Sequence, residues 1–161
     1  MSDPIAVAAP DAIVDGVWGG PSAQVPVATW MQQKLGGDIV EVPYGAFGFV
    51  NDKGEIIGGA YFYNHHKRQR ADITMAVAFD REIAEHPGAF RTAIKRVLSF
   101  PFGELNLPRV TAEIDSTNTD SIDLAQRCGF VHEGTKRMAG RNGADVEIYG
   151  LYRDACPFLK D

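Results

Sequence analysis

The chain has 161 residues, enough for one hydrophobic core without staples, and its 45% hydrophobic and 23% charged content is that of an ordinary globular protein. Its net charge of −5 excludes a whole-molecule field that would draw DNA or an anionic membrane, and no run reaches the about 18 apolar residues of a membrane span. Two cysteines, Cys128 and Cys156, lie too far apart for a CxxC motif, so free thiols in a reducing cytosol are expected.

Residues 1–21, rich in Ala, Pro, Gly and Asp, suggest an extended arm with one short strand at 5–9. Pro4, Pro10 and the lack of a basic start argue against a signal peptide, which makes a cytoplasmic location the expectation. One domain is expected over residues 22–161. It begins with an amphipathic helix: Val27, Trp30, Met31 and Leu35 recur at helical spacing, Pro26 suits the first turn, and Gly36-Gly37 supplies the stop.

Two aromatic and β-branched runs then flank Asn51-Asp52-Lys53-Gly54, which predicts a hairpin. "NHHKRQR", residues 64–70, is the one basic cluster; it suits a solvated loop, or contact with an acidic target or nucleic acid. Its adjacent histidines lack a third ligand at metal spacing, so no metal is expected. The strand that follows alternates Ile73, Met75, Val77 and Phe79 with Asp72, Thr74, Ala76 and Ala78. Its small-residue face leaves room for a ligand to lie against it.

A helix with Phe90, Ile94, Val97 and Leu98 on one side comes next, bent or ended by Pro101. "PRVTAEID" predicts a strand. "NTDSIDLAQRC" predicts a helix capped by Asn118 or Thr117, with Asp120 in its first turn, Ile122, Leu124 and Ala125 as apolar contacts, and Gly129 as its stop. Two strands, "GFVHEG" and "ADVEIYGLYRDAC", close the chain. The order of helix, three strands, helix, strand, helix and two strands is a mixed α/β layer.

Residues 109–156 resemble the C-terminal half of a GNAT-superfamily N-acetyltransferase, nearest the branch that acetylates N-terminal amines, including those of ribosomal proteins. The likeness rests on Asn118, Ser121, Cys128-Gly129-Phe130, Glu133-Gly134 and Tyr149-Gly150-Leu151. A looser likeness, through "VATW", "GEIIGGAYFYN" and "FPFGEL", is to GNAT-like proteins of phages and prophages. The resemblance implies a GNAT fold: a central, mostly antiparallel, twisted sheet of six to seven strands flanked by helices. It also implies acetyl-CoA as co-substrate and an amine-bearing acceptor, either a protein N-terminus or a small molecule. "AYFYN" serves a homodimer interface as readily as a core.

Such folds hold the CoA pyrophosphate on Gln/Arg-x-x-Gly-x-Gly/Ala at a helix N-terminus, where successive N–H groups cradle an anion. The register here is Glu85-His86-Pro87-Gly88-Ala89-Phe90. Gly88 matches. Glu85 opposes a phosphate by about 1 kcal/mol or more at contact in a screened site, Pro87 removes a donor, and Phe90 replaces a small residue. His86, Arg91 and Lys95 offer compensating cationic contacts. The cofactor-binding set is thus Ala76, Val77, Ala78, His86, Gly88, Ala89, Arg91 and, through the pantetheine arm, Asn118.

Acetyl transfer to an amine needs a base, oxyanion donors and an acid for the thiolate. The backbone N–H of Val77 or Ala78 is the expected oxyanion donor. Ala125 stands where many GNATs carry the acidic Tyr, and Ser121 matches the residue that the N-terminal-amine branch uses. Glu113, or else Asp115, is the candidate base, and Tyr149 a further candidate. Two other readings stay open: a GNAT-like binding protein that no longer uses CoA, and a Mom-like enzyme that modifies DNA bases. The net charge speaks against nucleic acid.

Overall fold

The computed structural model describes residues 45–50, 55–65 and 70–159. The expected arm, the helix from Pro26, the turn 51–54 and the middle of the basic cluster lie outside these residues. The described strands follow the order β1-β2-β3-β4-β6-β5, and the chain divides into two compact units.

The first unit comprises β1 (Gly45–Val50), β2 (Ile56–Tyr63), the end of β3 (Asp72–Phe79), the one-turn helix α1 (Arg81–Ala84) and α2 (Pro87–Ser99) as far as Val97. β1 and β2 form the expected antiparallel hairpin, with an irregularity between Phe49 and Val50. Phe79 stands edge-on to both Phe49 and Phe90, with ring centroids 6.3 and 5.9 Å away. Gly58 is required here: a Cβ would sit 2.8 Å from Ile83 Cδ1 and from Phe79 Cδ1. The apolar stripe of α2 is buried as its spacing predicts, through Ala89, Phe90, Ala93, Ile94 and Val97. Each large side chain so buried contributes about 1.5–3 kcal/mol.

The second unit holds His65–Ala76 and the chain from Leu98. The turn Phe100–Glu104 widens into a π-helix, with Leu105 N–H donating to Phe100 O at 2.9 Å. Pro101, expected to bend or end α2, lies in this turn, where the helical register changes. β4 (Arg109–Asp115) runs parallel to β3 and antiparallel to β6 (Val146–Tyr152), which in turn pairs antiparallel with β5 (Val131–Lys136). β5 carries a bulge between His132 and Gly134.

Between β4 and β5, α3 (Thr119–Arg127) buries Ala125, while Ile122 and Leu124 are half-buried. Gly129 ends it at φ +93°, a conformation that L side chains resist, and Phe130 turns back into the core. One face of this sheet is apolar, carrying Ile73, Met75, Val110, Ala112, Ile114 and Leu151. Cys128 and Cys156 are free and buried, and burial pushes the Cys128 thiol up to about 12. That favours the protonated thiol.

Candidate active site

β3 and β4 share a ladder of only three rungs: Asp72 with Arg109, Ile73 with Val110, and Thr74 with Thr111. Beyond Thr74 the ladder stops, and Met75 and Ala76 have no partner in β4. Parallel strands that part in mid-sheet leave backbone N–H and C=O groups for a ligand to use. Ala76, Val77 and Ala78, the expected cofactor-facing residues, follow the point of parting and are half-buried.

In the first unit, β3 leads through α1 into α2, the expected anion-binding turn. Phe90 N–H donates to His86 O at 2.9 Å, which starts the intrahelical ladder. Gly88 and Ala89 precede it, and their N–H groups make no backbone hydrogen bond among the described residues. Two departures from the family pattern acquire a physical meaning. Phe90 is buried against Phe79, so its bulk belongs to the core and not to the turn. Glu85 accepts from Arg81 Nε at 3.0 Å across one helical turn. Both side chains are well exposed, so the pair is weak and leaves Glu85 able to reorient. Gly88 and Arg91 are exposed, His86 is half-buried, and Ala89 is buried. Lys95 is exposed one helical turn beyond Arg91.

The second unit brings together Asn118 and Ser121. Asn118 Oδ1 accepts from Ser121 N at 3.2 Å, which settles the choice between Asn118 and Thr117 as the cap of α3. Ser121 is half-buried in that first turn. Glu113 sits on β4 opposite Ile148, and its carboxylate accepts from Lys136 Nζ at 3.2 Å. Asp115 ends the strand, with Oδ1 at 2.5 Å from where a Gly140 Cβ would stand. Tyr149 is only 5% exposed, opposite Ala112, with the His132 ring tilted against it at 5.2 Å.

Next to Tyr149, Glu147 accepts from Thr135 and His132, which hold its carboxyl below the usual range.

The other face of this sheet carries a continuous polar relay that sequence reasoning did not single out. Arg70 grips Asp72 through Nε to Oδ1 at 2.9 Å and Nη2 to Oδ2 at 3.1 Å. Thr111 Oγ1 donates to Asp72 Oδ2 at 2.8 Å and accepts from Arg109 Nε at 3.1 Å. Arg109 holds Glu133 with both Nη atoms, lies over the Tyr152 ring at 5.6 Å, and Tyr152 Oη donates to Glu133 at 3.2 Å. Gly150 makes the lane: a Cβ there would meet Glu133 and Arg109 within 2.7 Å.

Burial alone would raise the Asp72 carboxyl, but hydrogen bonds from Arg70 and Thr111 and the charges of Arg70 and Arg109 bring it below its usual value. The hydrogen bond from Arg109 does the same for Glu133. The signal in the sequence was the polar residue at every second position of "RVTAEID".

Comparison with known proteins agrees with this architecture. The family described as "Acetyltransferase (GNAT) domain" matches residues 3–131, most of the chain, and the protein belongs to it. It is a GNAT-fold protein of the acetyltransferase family. Among solved structures it is similar to a chimera of the Vibrio cholerae spermidine N-acetyltransferase SpeG with hSSAT. The identity there is 24% and the TM-score 0.57, over 71% of this chain and 69% of that one. A GNAT-family acetyltransferase of Bacillus anthracis is 18% identical with a TM-score of 0.55, over 68% and 66% of the two chains. A proposed ribosomal-protein-serine acetyltransferase of Vibrio cholerae is 19% identical with a TM-score of 0.56, over 67% and 63%. The chain spans about two thirds of the length of these structures, and the likeness is one of fold. No curated protein matches it. No helix among the described residues is long and apolar enough to cross a membrane.

Proposed function

We propose that the protein transfers an acetyl group from acetyl-CoA to a primary amine, either the N-terminal amine of a protein or a small molecule. The observation that carries this reading is the first turn of α2. Gly88 and Ala89 keep N–H groups clear of the backbone ladder, and Phe90, the residue that would have filled the turn, is turned into the core. Arg91 and Lys95 would add positive charge along the helix from that turn, His86 would offer a polar contact, and Glu85 has a partner in Arg81.

Bound there, acetyl-CoA would supply the acetyl group as an activated thioester. Ala76, Val77 and Ala78 would line its arm, and the N–H of Val77 or Ala78 would donate to the oxyanion. Asn118 would hold the pantetheine through its amide nitrogen, since its oxygen caps α3. Glu113 would take the proton of the acceptor ammonium, and Ser121 would return one to the leaving thiolate. Tyr149 ranks behind them because its ring is enclosed. The small side chain of Ala125 offers no acid, which is what gives Ser121 the task.

Calorimetric titration of acetyl-CoA and CoA into wild type and Glu85→Gln tests the reading, followed by thiol-release assays against polyamines and peptide N-termini. Micromolar binding, two- to threefold tighter in Glu85→Gln, is the expected result. Absence of heat and of any thermal shift at millimolar ligand in both proteins would sink it. The degenerate loop and Ala125 would then favour a binding protein that no longer uses CoA.

A further inference from the structure

We propose that Asp72 and Thr111 are positioning residues, a clasp that fixes where β3 and β4 part and so sets the backbone of Met75 and Ala76 for the acyl-carrying arm. The inference rests on the reading that acetyl-CoA enters this parting. Three observations carry it. The backbone ladder ends on the rung between Thr74 and Thr111. A direct side-chain bond crosses between the same two strands, from Thr111 Oγ1 to Asp72 Oδ2 at 2.8 Å, and both Thr74 and Thr111 are buried. Each end of that bond is held by an arginine, Asp72 by Arg70 just before β3 and the Thr111 hydroxyl by Arg109 at the start of β4, whose guanidinium is fixed in turn by Glu133 and Tyr152 on β5 and β6.

Because Thr111 donates to Asp72 and accepts from Arg109, its hydroxyl has one orientation only. A valine of the same shape removes both bonds and leaves the Asp72 oxygen and Arg109 Nε without that partner. Parallel pairing over three rungs is too little to hold a register by itself, since each backbone bond contributes only about 1 kcal/mol net. Without the clasp, the parting can migrate by a rung in either direction. Migration displaces the N–H groups of Met75 and Ala76 while the rest of the sheet stays paired.

The test compares wild type, Thr111→Val, Thr111→Ser and Asp72→Asn by amide hydrogen exchange without ligand and by steady-state kinetics. Thr111→Val is expected to speed exchange at Thr74–Ala76 at least tenfold, leaving Ile148–Leu151 in β6 unchanged, and to raise the acetyl-CoA KM about fivefold more than the acceptor KM. Thr111→Ser, which keeps the hydroxyl, should restore both. Asp72→Asn, which keeps an acceptor but loses the charge held by Arg70, should fall between. Equal acceleration throughout β4 and β6, or no change at Thr74–Ala76, would overturn the clasp. A wild-type protein that does not bind acetyl-CoA would overturn the functional reading alone, and the exchange comparison would still decide whether the clasp exists.

Discussion

The two described helices of more than one turn begin in opposite ways. α3 carries a side-chain cap and an acid at its start: Asn118 Oδ1 accepts from the N–H of Ser121, and Asp120 answers the dipole. α2 starts on Pro87, which has no N–H, and leaves those of Gly88 and Ala89 outside the backbone network. Four N–H groups at any helix start need acceptors. A start with its own cap and carboxylate answers part of that need, and one with no acid in its first turn has more to offer an anion. The difference is the one expected between a turn that closes a helix and the turn proposed to receive the CoA phosphates.

Substitutions can break that distinction. The largest effect is expected from Gly88→Asp, which puts a carboxylate against the open N–H groups. CoA binding measured by calorimetry should fall more than tenfold, over ~1.4 kcal/mol, while the melting temperature holds or rises, because an acid in the first turn suits the dipole. A parallel loss of stability would show that the turn is structural after all.

Next is Asn118→Ala, which should cost about 1 kcal/mol and lower the melting temperature by roughly 2–4 °C. Asn118→Asp sharpens the point, since it keeps the cap and discards the amide donor. If it keeps its stability but binds CoA more weakly, Asn118 serves both helix and ligand. If neither changes, Asn118 is a cap and nothing more.

A smaller effect concerns the polar relay. The folded state holds the Glu133 carboxyl below 4.5, chiefly through Arg109. The stabilisation is therefore present above about pH 4.5 and lost as pH falls through the lower folded value. Glu133→Gln should cost roughly 0.2–1 kcal/mol at pH 7 and less at an acidic pH that protonates the carboxyl, in denaturant titrations at the two pH values. The same deficit at both pH values would mean that packing over Gly150, and not charge, is what the pair supplies. The smallest change is the two- to threefold gain in CoA affinity expected for Glu85→Gln.

Much of this was visible before any coordinates. The pairing of β1 with β2, the buried stripe of α2 and the Asn118 and Gly129 boundaries of α3 follow from local rules of period, turn chemistry and capping, while the GNAT likeness came from resemblance to a family. The Asn118 cap was legible because it depends on residues three apart. Phe90 was harder. By motif it obstructed the anion turn, and its position in the helical stripe, which sends it toward Phe79, had to be weighed against the motif.

The relay from Arg70 to Tyr152 was not legible. Its partners lie up to 39 residues apart, as with Asp72 and Thr111, and come together only when β3, β4, β6 and β5 are laid side by side.

By itself, then, the sequence determined the elements, their order and the kind of fold, because period, caps and turns act within a few residues. Tertiary structure alone decided that β3 and β4 separate after three rungs and that Thr111 bonds Asp72. Those depend on register and on which face each strand turns toward its neighbours, and a side chain's spacing in sequence does not encode its partner across a sheet.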